Sequence, residues 1–134
     1  MSGKRDRKHQ ARILLVEDDN SFRQVLAKQL TKFGFQVQTA KSGEEALKHL
    51  QDGSFALVVS DIDMPDGTGV QLLENINTHK INVPVILMTG GLAITEEEVL
   101  RLGAKCFLQK PFQSKELRLR IEVCLPFENV EGEE

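Results

Sequence analysis

Short apolar runs alternate with amphipathic stretches along this chain, and that alternation restricts its fold more than any other feature. The runs at 13–16, 55–59, 85–88 and 106–108 are short, β-branched or bulky, and bounded by turn residues, as buried strands are. The stretch 35–39, F-Q-V-Q-T, differs by alternating apolar with polar residues, which suits a strand with one wetter face at a sheet edge. Between the runs lie helical signals. Phe22, Val25, Leu26, Leu30 and Phe33 fall on one face, with Gly34 behind them as a C-terminal cap. Ser42 with Glu45, and Thr95 with Glu98, have capping-box spacing and mark two more helix starts. A further helix is predicted from about Gly69 to Thr78, and a last one begins after Ser114 with Leu117, Ile121, Cys124 and Leu125 facing inward.

The order is therefore (βα)₅, without internal repeat or low-complexity segment. Strictly alternating strands and helices demand crossover connections, which are right-handed and place helices on both faces of a parallel sheet. The expected class is α/β, a doubly wound five-stranded parallel sheet. In such sheets ligands bind at the carboxyl ends of the strands, near the point where strand order reverses.

Length and composition narrow the function classes. A chain of 134 residues fits one domain with one site. Residues 12–125 are expected to form that domain, between a basic tail at 1–11 and an acidic tail, or the start of a linker, at 126–134. No apolar run approaches the ~20 residues of a membrane span, and the charged start Lys4-Arg5-Asp6-Arg7-Lys8 is no signal peptide, so a cytoplasmic address is expected. Cys106 and Cys124 lack metal-ligand companions and read as buried apolar groups rather than a disulfide framework or a zinc site. A net charge of −3 with neither Trp nor Tyr argues against direct nucleic-acid binding. His9, His49 and His79 read as solvated surface residues in the tail or on polar helix positions.

The residues just past each apolar run carry the chemistry. After the first run come Glu17, Asp18 and Asp19; after the third, Asp61; after the fourth, Thr89 and Gly90; after the fifth, Lys110-Pro111. Three carboxylates converging without compensation would repel one another, so such a cluster calls for a cation. Oxygen ligands without convergent His or Cys select a hard ion, Mg²⁺ ahead of Ca²⁺. The plainer alternative is that the acids cap the first helix, where negative charge is favoured, and it fits Asp19 better than Asp18.

Four ordered motifs, I-L-L-V-E-D-D at 13–19, S-D-I-D-M-P-D-G at 60–67, P-V-I-L-M-T-G at 84–90 and K-P-F at 110–112, together resemble the receiver domain of bacterial two-component response regulators. The resemblance covers residues 12 to about 125. It implies a flavodoxin-like sheet of strand order 2-1-3-4-5 and a Mg²⁺-dependent (or Mn²⁺-dependent) transfer of a phosphoryl group from a histidine kinase onto Asp61. On that likeness Glu17, Asp18, Asp61 and the backbone carbonyl of Asp63 are metal ligands, Lys110 pairs with the phosphate, and Thr89 and Phe107 occupy the switch positions. The peptide before Pro111 is expected to be cis. A self-phosphorylating and self-dephosphorylating switch is implied, rather than a turnover enzyme. Its partners would be a sensor histidine kinase or phosphotransfer protein, a downstream output domain or protein, and a second copy joined through the fourth helix, fifth strand and fifth helix. On that face Arg101, Lys105, Arg118 and Arg120 offer charges.

The chain departs from the commonest family pattern in several places. Glu17 stands where Asp is usual, Phe107 where tyrosine is frequent, and Gly90 where alanine is frequent, with Gly91 making the next loop permissive. Two other readings are set against this one. Asp61-Ile-Asp63 is also similar to the D-x-D motif of haloacid-dehalogenase-like phosphatases, in which Asp63 would be a general acid; there, however, the motif follows the first core strand, whereas here Glu17-Asp18 comes first. A degenerate receiver serving only as an interaction module would not need Asp18, Asp61, Thr89 and Lys110 together.

Overall fold

A computed structural model describes residues 11–64, 69–91 and 94–125. In chain order the elements are β1 (Arg12–Val16), α1 (Asn20–Lys32), β2 (Gln36–Ala40), α2 (Gly43–Asp52), β3 (Leu57–Asp61), α3 (Gly69–Thr78), β4 (Val85–Thr89), α4 (Glu96–Arg101), β5 (Cys106–Gln109) and α5 (Ser114–Cys124). All strand pairs are parallel and the sheet order is β2-β1-β3-β4-β5, as the resemblance implied.

The three central strands are apolar on both faces because both faces are covered. Along β1, Leu14 and Val16 point toward Ala46 and Leu50 of α2, Leu72, Leu73 and Ile76 of α3, and Val99 of α4. Ile13 and Leu15 point the other way, toward Leu26 and Leu30 of α1 and Leu117 and Ile121 of α5. All four β1 side chains are fully buried, each contributing about 1.5–3 kcal/mol by removal from water. The edge strand β2 is wetter, with Gln36 exposed and Val37 to Thr39 half-buried.

Helix starts follow the sequence signals. Asp19 caps α1 by accepting from the Phe22 N–H at 3.0 Å. Thr95 and Glu98 close a reciprocal capping box on α4. At α2 only half of a box forms: Ser42 accepts from the Glu45 N–H, while Glu45 reaches back to the Lys41 N–H instead. Gly34 follows α1 at φ 102°, where a Cβ would be strained.

Three sequence readings are corrected. Val25 is 51% exposed, because the buried stripe of α1 runs through Arg23, Leu26 and Leu30 and turns Val25 outward. The third strand starts at Leu57 rather than residue 55, leaving Phe55 half-buried before it. His49 is half-buried, with Nε2 3.8 Å from Glu45. Residues 1–10, 65–68, 92–93 and 126–134 lie outside the described residues, so both tails, the end of the S-D-I-D-M-P-D-G motif and part of the loop after Gly91 do too.

Candidate functional site

Register brings the carboxyl ends of the central strands level: Val16 pairs with Ser60, Asp61 with Met88, and Thr89 with Gln109. The residues that leave these strands therefore meet at one end of the sheet, beside the β1/β3 junction where strand order reverses. Glu17 and Asp61 are buried there, 1% and 3% exposed, and Asp18 is exposed beside them. Carboxylate oxygens of Glu17, Asp18 and Asp61 all lie within 4.8 Å of one another. Asp19 stands apart from this group as the α1 cap, so the helix-capping alternative applies to Asp19 alone.

Lys110 closes the cluster from β5. Its Nζ lies 2.9 Å from Asp61 Oδ1 and 3.4 Å from Glu17 Oε1. Burial raises the Asp61 pKa above the usual carboxylate value, and the nearby ammonium lowers it by less. Burial likewise raises Glu17, assisted by the Asp61 charge and opposed by the Asp19 N–H and Lys110. For Lys110, burial alone would lower the pKa, but its pairings with Asp61 and Glu17 together outweigh burial and raise it. The site thus holds two buried acids against one cation. Asp61 Oδ1 is within ion-pair distance of Lys110 yet makes no aligned hydrogen bond. An acid cluster short of positive charge, its carboxylate oxygens within reach of one another, fits a hard cation bound by oxygen.

The surround is built from residues whose role the sequence did not announce. Arg23 is 9% exposed and donates to the Glu17 carbonyl at 2.9 Å and the Asp18 carbonyl at 3.4 Å, fastening the loop that carries the acidic pair; its other nitrogen donates to Asn20. The available signal was a cation on the apolar stripe, three residues before Leu26. Phe22 lies under Lys110, with Nζ 4.6 Å from the ring centroid, and packs edge-on against Phe112 at 6.2 Å. Phe22, Lys110 and Phe112 line, with the acids, an open cavity of about 770 Å³.

On the β4 side, the buried Thr89 hydroxyl donates to Asp63 Oδ2 at 2.9 Å and accepts from the Gly91 N–H at 3.0 Å. Asp63 is therefore tied to Thr89, a partnership that separation in sequence concealed. Phe107 is half-buried against the core containing Val99, while Cys106 packs against the opposite core with α5. The Lys110-Pro111 peptide is cis. Gly69, at the start of α3, lies so close to β3 that a Cβ would stand 2.5 Å from the Asp61 carbonyl oxygen. Of the four surface cations, Arg101, Arg118 and Arg120 pair along their own helices with Glu97, Glu122 and Glu116.

Comparison with known proteins agrees with this fold. Residues 13–122 match the response regulator receiver domain family. The chain is 41% identical over 108 residues to the response regulator protein FleR of Pseudomonas aeruginosa, covering 80% of this chain and 23% of FleR. It is 39% identical over 100 residues to the transcriptional regulatory protein FixJ of Rhizobium meliloti, covering 74% of this chain and 49% of FixJ. The chain thus spans less than half the length of these curated relatives. The crystal structure of FixJ-N superposes with a TM-score of 0.80 at 36% identity, over 85% of this chain and 92% of that one. The response regulator protein TrrA from Thermotoga maritima, in complex with Mg²⁺-BeF, superposes with a TM-score of 0.78 at 31% identity, over 86% and 99%.

Proposed function

Because the chain belongs to the response regulator receiver domains of two-component signalling, we propose that Asp61 accepts a phosphoryl group from a phosphohistidine kinase or phosphotransfer protein in a Mg²⁺-dependent (or Mn²⁺-dependent) reaction. The observation that carries this reading is the buried Asp61 carboxylate gathered with two further acids against Lys110. Glu17, Asp18, Asp61 and the backbone carbonyl of Asp63 would hold the ion. Bound there, it supplies positive charge that neutralises the phosphoryl oxygens as charge spreads during transfer.

The chain's own residues do the rest. Asp61 is the nucleophile, and its position at a strand end fixes its direction of attack. Lys110 loses part of its hold on Asp61 as it turns to a phosphoryl oxygen. Thr89 has one hydroxyl proton, now given to Asp63; donating it to the phosphoryl group instead requires breaking that bond. Release from Asp63 is thus the first event of the switch, and Phe107, half-buried on the α4 side, repacks in response. The proposed output surface is α4, β5 and α5, where Leu100, Leu119 and Val123 are exposed apolar residues suited to an output domain, a target protein or a second copy. No helix among the described residues is long and apolar enough to cross a membrane, consistent with the cytoplasmic placement proposed here. Asp63, engaged by Thr89 rather than poised over Asp61, does not suit the general acid of a phosphatase.

The test is intact-mass measurement after incubation with an acyl phosphate. One added phosphoryl group is expected with Mg²⁺ and none in excess EDTA or in Asp61→Asn. Undiminished labelling of that variant would overturn the assignment.

A further inference from the structure

Far from the phosphoryl site, at the opposite end of β5, the chain's two cysteines meet. Cys106 opens β5 and Cys124 closes α5, 18 positions apart, yet their sulfurs are 2.8 Å apart and both are free thiols. We propose that Cys106 and Cys124 are a reversible redox pair, converted by a hydroperoxide into an intramolecular disulfide.

The two thiols are unequal, and the inequality sets their order of reaction. Cys106 is half-buried, whereas Cys124 is buried and its pKa is pushed up to about 12, first by burial and then by the hydrogen bond and charge of Cys106. Cys106 is therefore the thiol that meets oxidant. Its thiolate attacks one peroxide oxygen, the O–O bond breaks, and the other oxygen leaves as an alcohol or water after taking a proton, giving a sulfenic acid at Cys106. Lys105 and Arg120 lie near enough to Cys124 to favour its thiolate. Cys124 sulfur then attacks Cys106 sulfur, the S–O bond breaks, and hydroxide leaves as water with the Cys124 proton. Two thiols and one hydroperoxide thus become one disulfide, one water and one alcohol, or two waters when the oxidant is hydrogen peroxide.

Placement gives the bond a consequence. Cys124 and Lys105 line a surface cavity of about 530 Å³ beside the pair, while a small oxidant reaches Cys106 at its own half-buried surface. The bridge would tie the start of β5 to the end of α5, one residue from Phe107, and so restrain two neighbouring elements. Sulfur packing without chemistry is the competing account, and it predicts no bridge.

The reduced chain is treated with hydrogen peroxide, quenched, denatured and alkylated, then mapped by mass spectrometry. Peptide mapping is needed because methionine oxidation adds mass that thiol reductants do not remove. The expected product is monomeric, with both cysteines protected from alkylation, a peptide pair joined through 106 and 124 that is lighter by two hydrogens, and full thiol recovery after reduction. Cys124→Ser, or Cys124→Ala if the serine does not fold in this apolar position, is expected to stop at a sulfenic acid on Cys106 that dimedone traps. Cys106→Ser is expected to leave Cys124 alkylatable. Two free thiols after treatment, sulfinic acid at Cys106 without a bridge, or bridging only between molecules would each overturn the proposal.

Discussion

Adding one methyl group at Gly69 tests how tightly the acceptor strand is held. The residue has no positive φ, so glycine is needed for space rather than for conformation. A Cβ there would stand 2.5 Å from the Asp61 carbonyl oxygen, 2.9 Å from Ile62 Cα and 3.2 Å from the Asp61 carbonyl carbon, where ordinary contact begins at 3.4 Å. All three are backbone atoms that cannot rotate aside, so α3 and the end of β3 must separate by most of an ångström. Overpacking of this kind costs ~1–3 kcal/mol, and backbone against backbone belongs at the upper end. Better helix propensity returns at most ~1 kcal/mol, leaving Gly69→Ala about 2 kcal/mol less stable. For a chain this size that lowers Tm by roughly 5–10 °C. Displacing Asp61 by a comparable distance is expected to slow its labelling by an acyl phosphate about tenfold to a hundredfold. Urea unfolding and time-resolved intact mass measure the two effects. Gly53→Ala is the control, because there the new Cβ meets the end of the Arg12 side chain at 3.3 Å, which can move. If Gly69→Ala unfolds at the parent's midpoint and labels at the parent's rate, the steric reasoning is wrong.

Two further outcomes are expected. Arg23→Met removes the donor from the Glu17 and Asp18 carbonyls, and loss of that brace is expected to weaken Mg²⁺ binding about tenfold, or 1.4 kcal/mol; calorimetric titration showing parental affinity in a folded variant would count against it. In EDTA, the pKa values of Asp61 and Glu17, raised in the folded state above 3.8 and 4.5, mean that the folded protein holds protons the unfolded chain releases. Their contribution to stability is therefore greatest in acid and falls as pH rises from those values through the folded pKa values, while Lys110, raised from 10.5, stays charged throughout. Asp61→Asn should accordingly gain on the parent as pH rises above about 4 in urea unfolding, and a gap that does not change with pH would contradict the reading.

The strands and helices were legible because one-dimensional periodicity records burial. Continuous apolar runs at 13–16 and 85–88 can be covered only on two faces, and the capping pairs at 42/45 and 95/98 are local in the chain. The ends of those runs also brought Glu17, Asp18, Asp61, Thr89 and Lys110 to notice, since parallel strands place all their carboxyl ends on one side. Contacts between distant segments were decided by tertiary packing. The period of α1 permits either Val25 or Arg23 toward the sheet; only the polar carbonyls after β1 make the cation the better occupant. Thr89 and Asp63, 26 positions apart, became partners because β3 and β4 are neighbours. Cys124 is buried as the sequence suggested and Cys106 only half-buried, and their meeting depends on how α5 lies back along β5. Sequence determined which strands are buried on both faces and which end of the sheet carries charge, because both follow from local pattern. The pairing of side chains across the core depends on helix placement to within an ångström, and only the folded chain sets that.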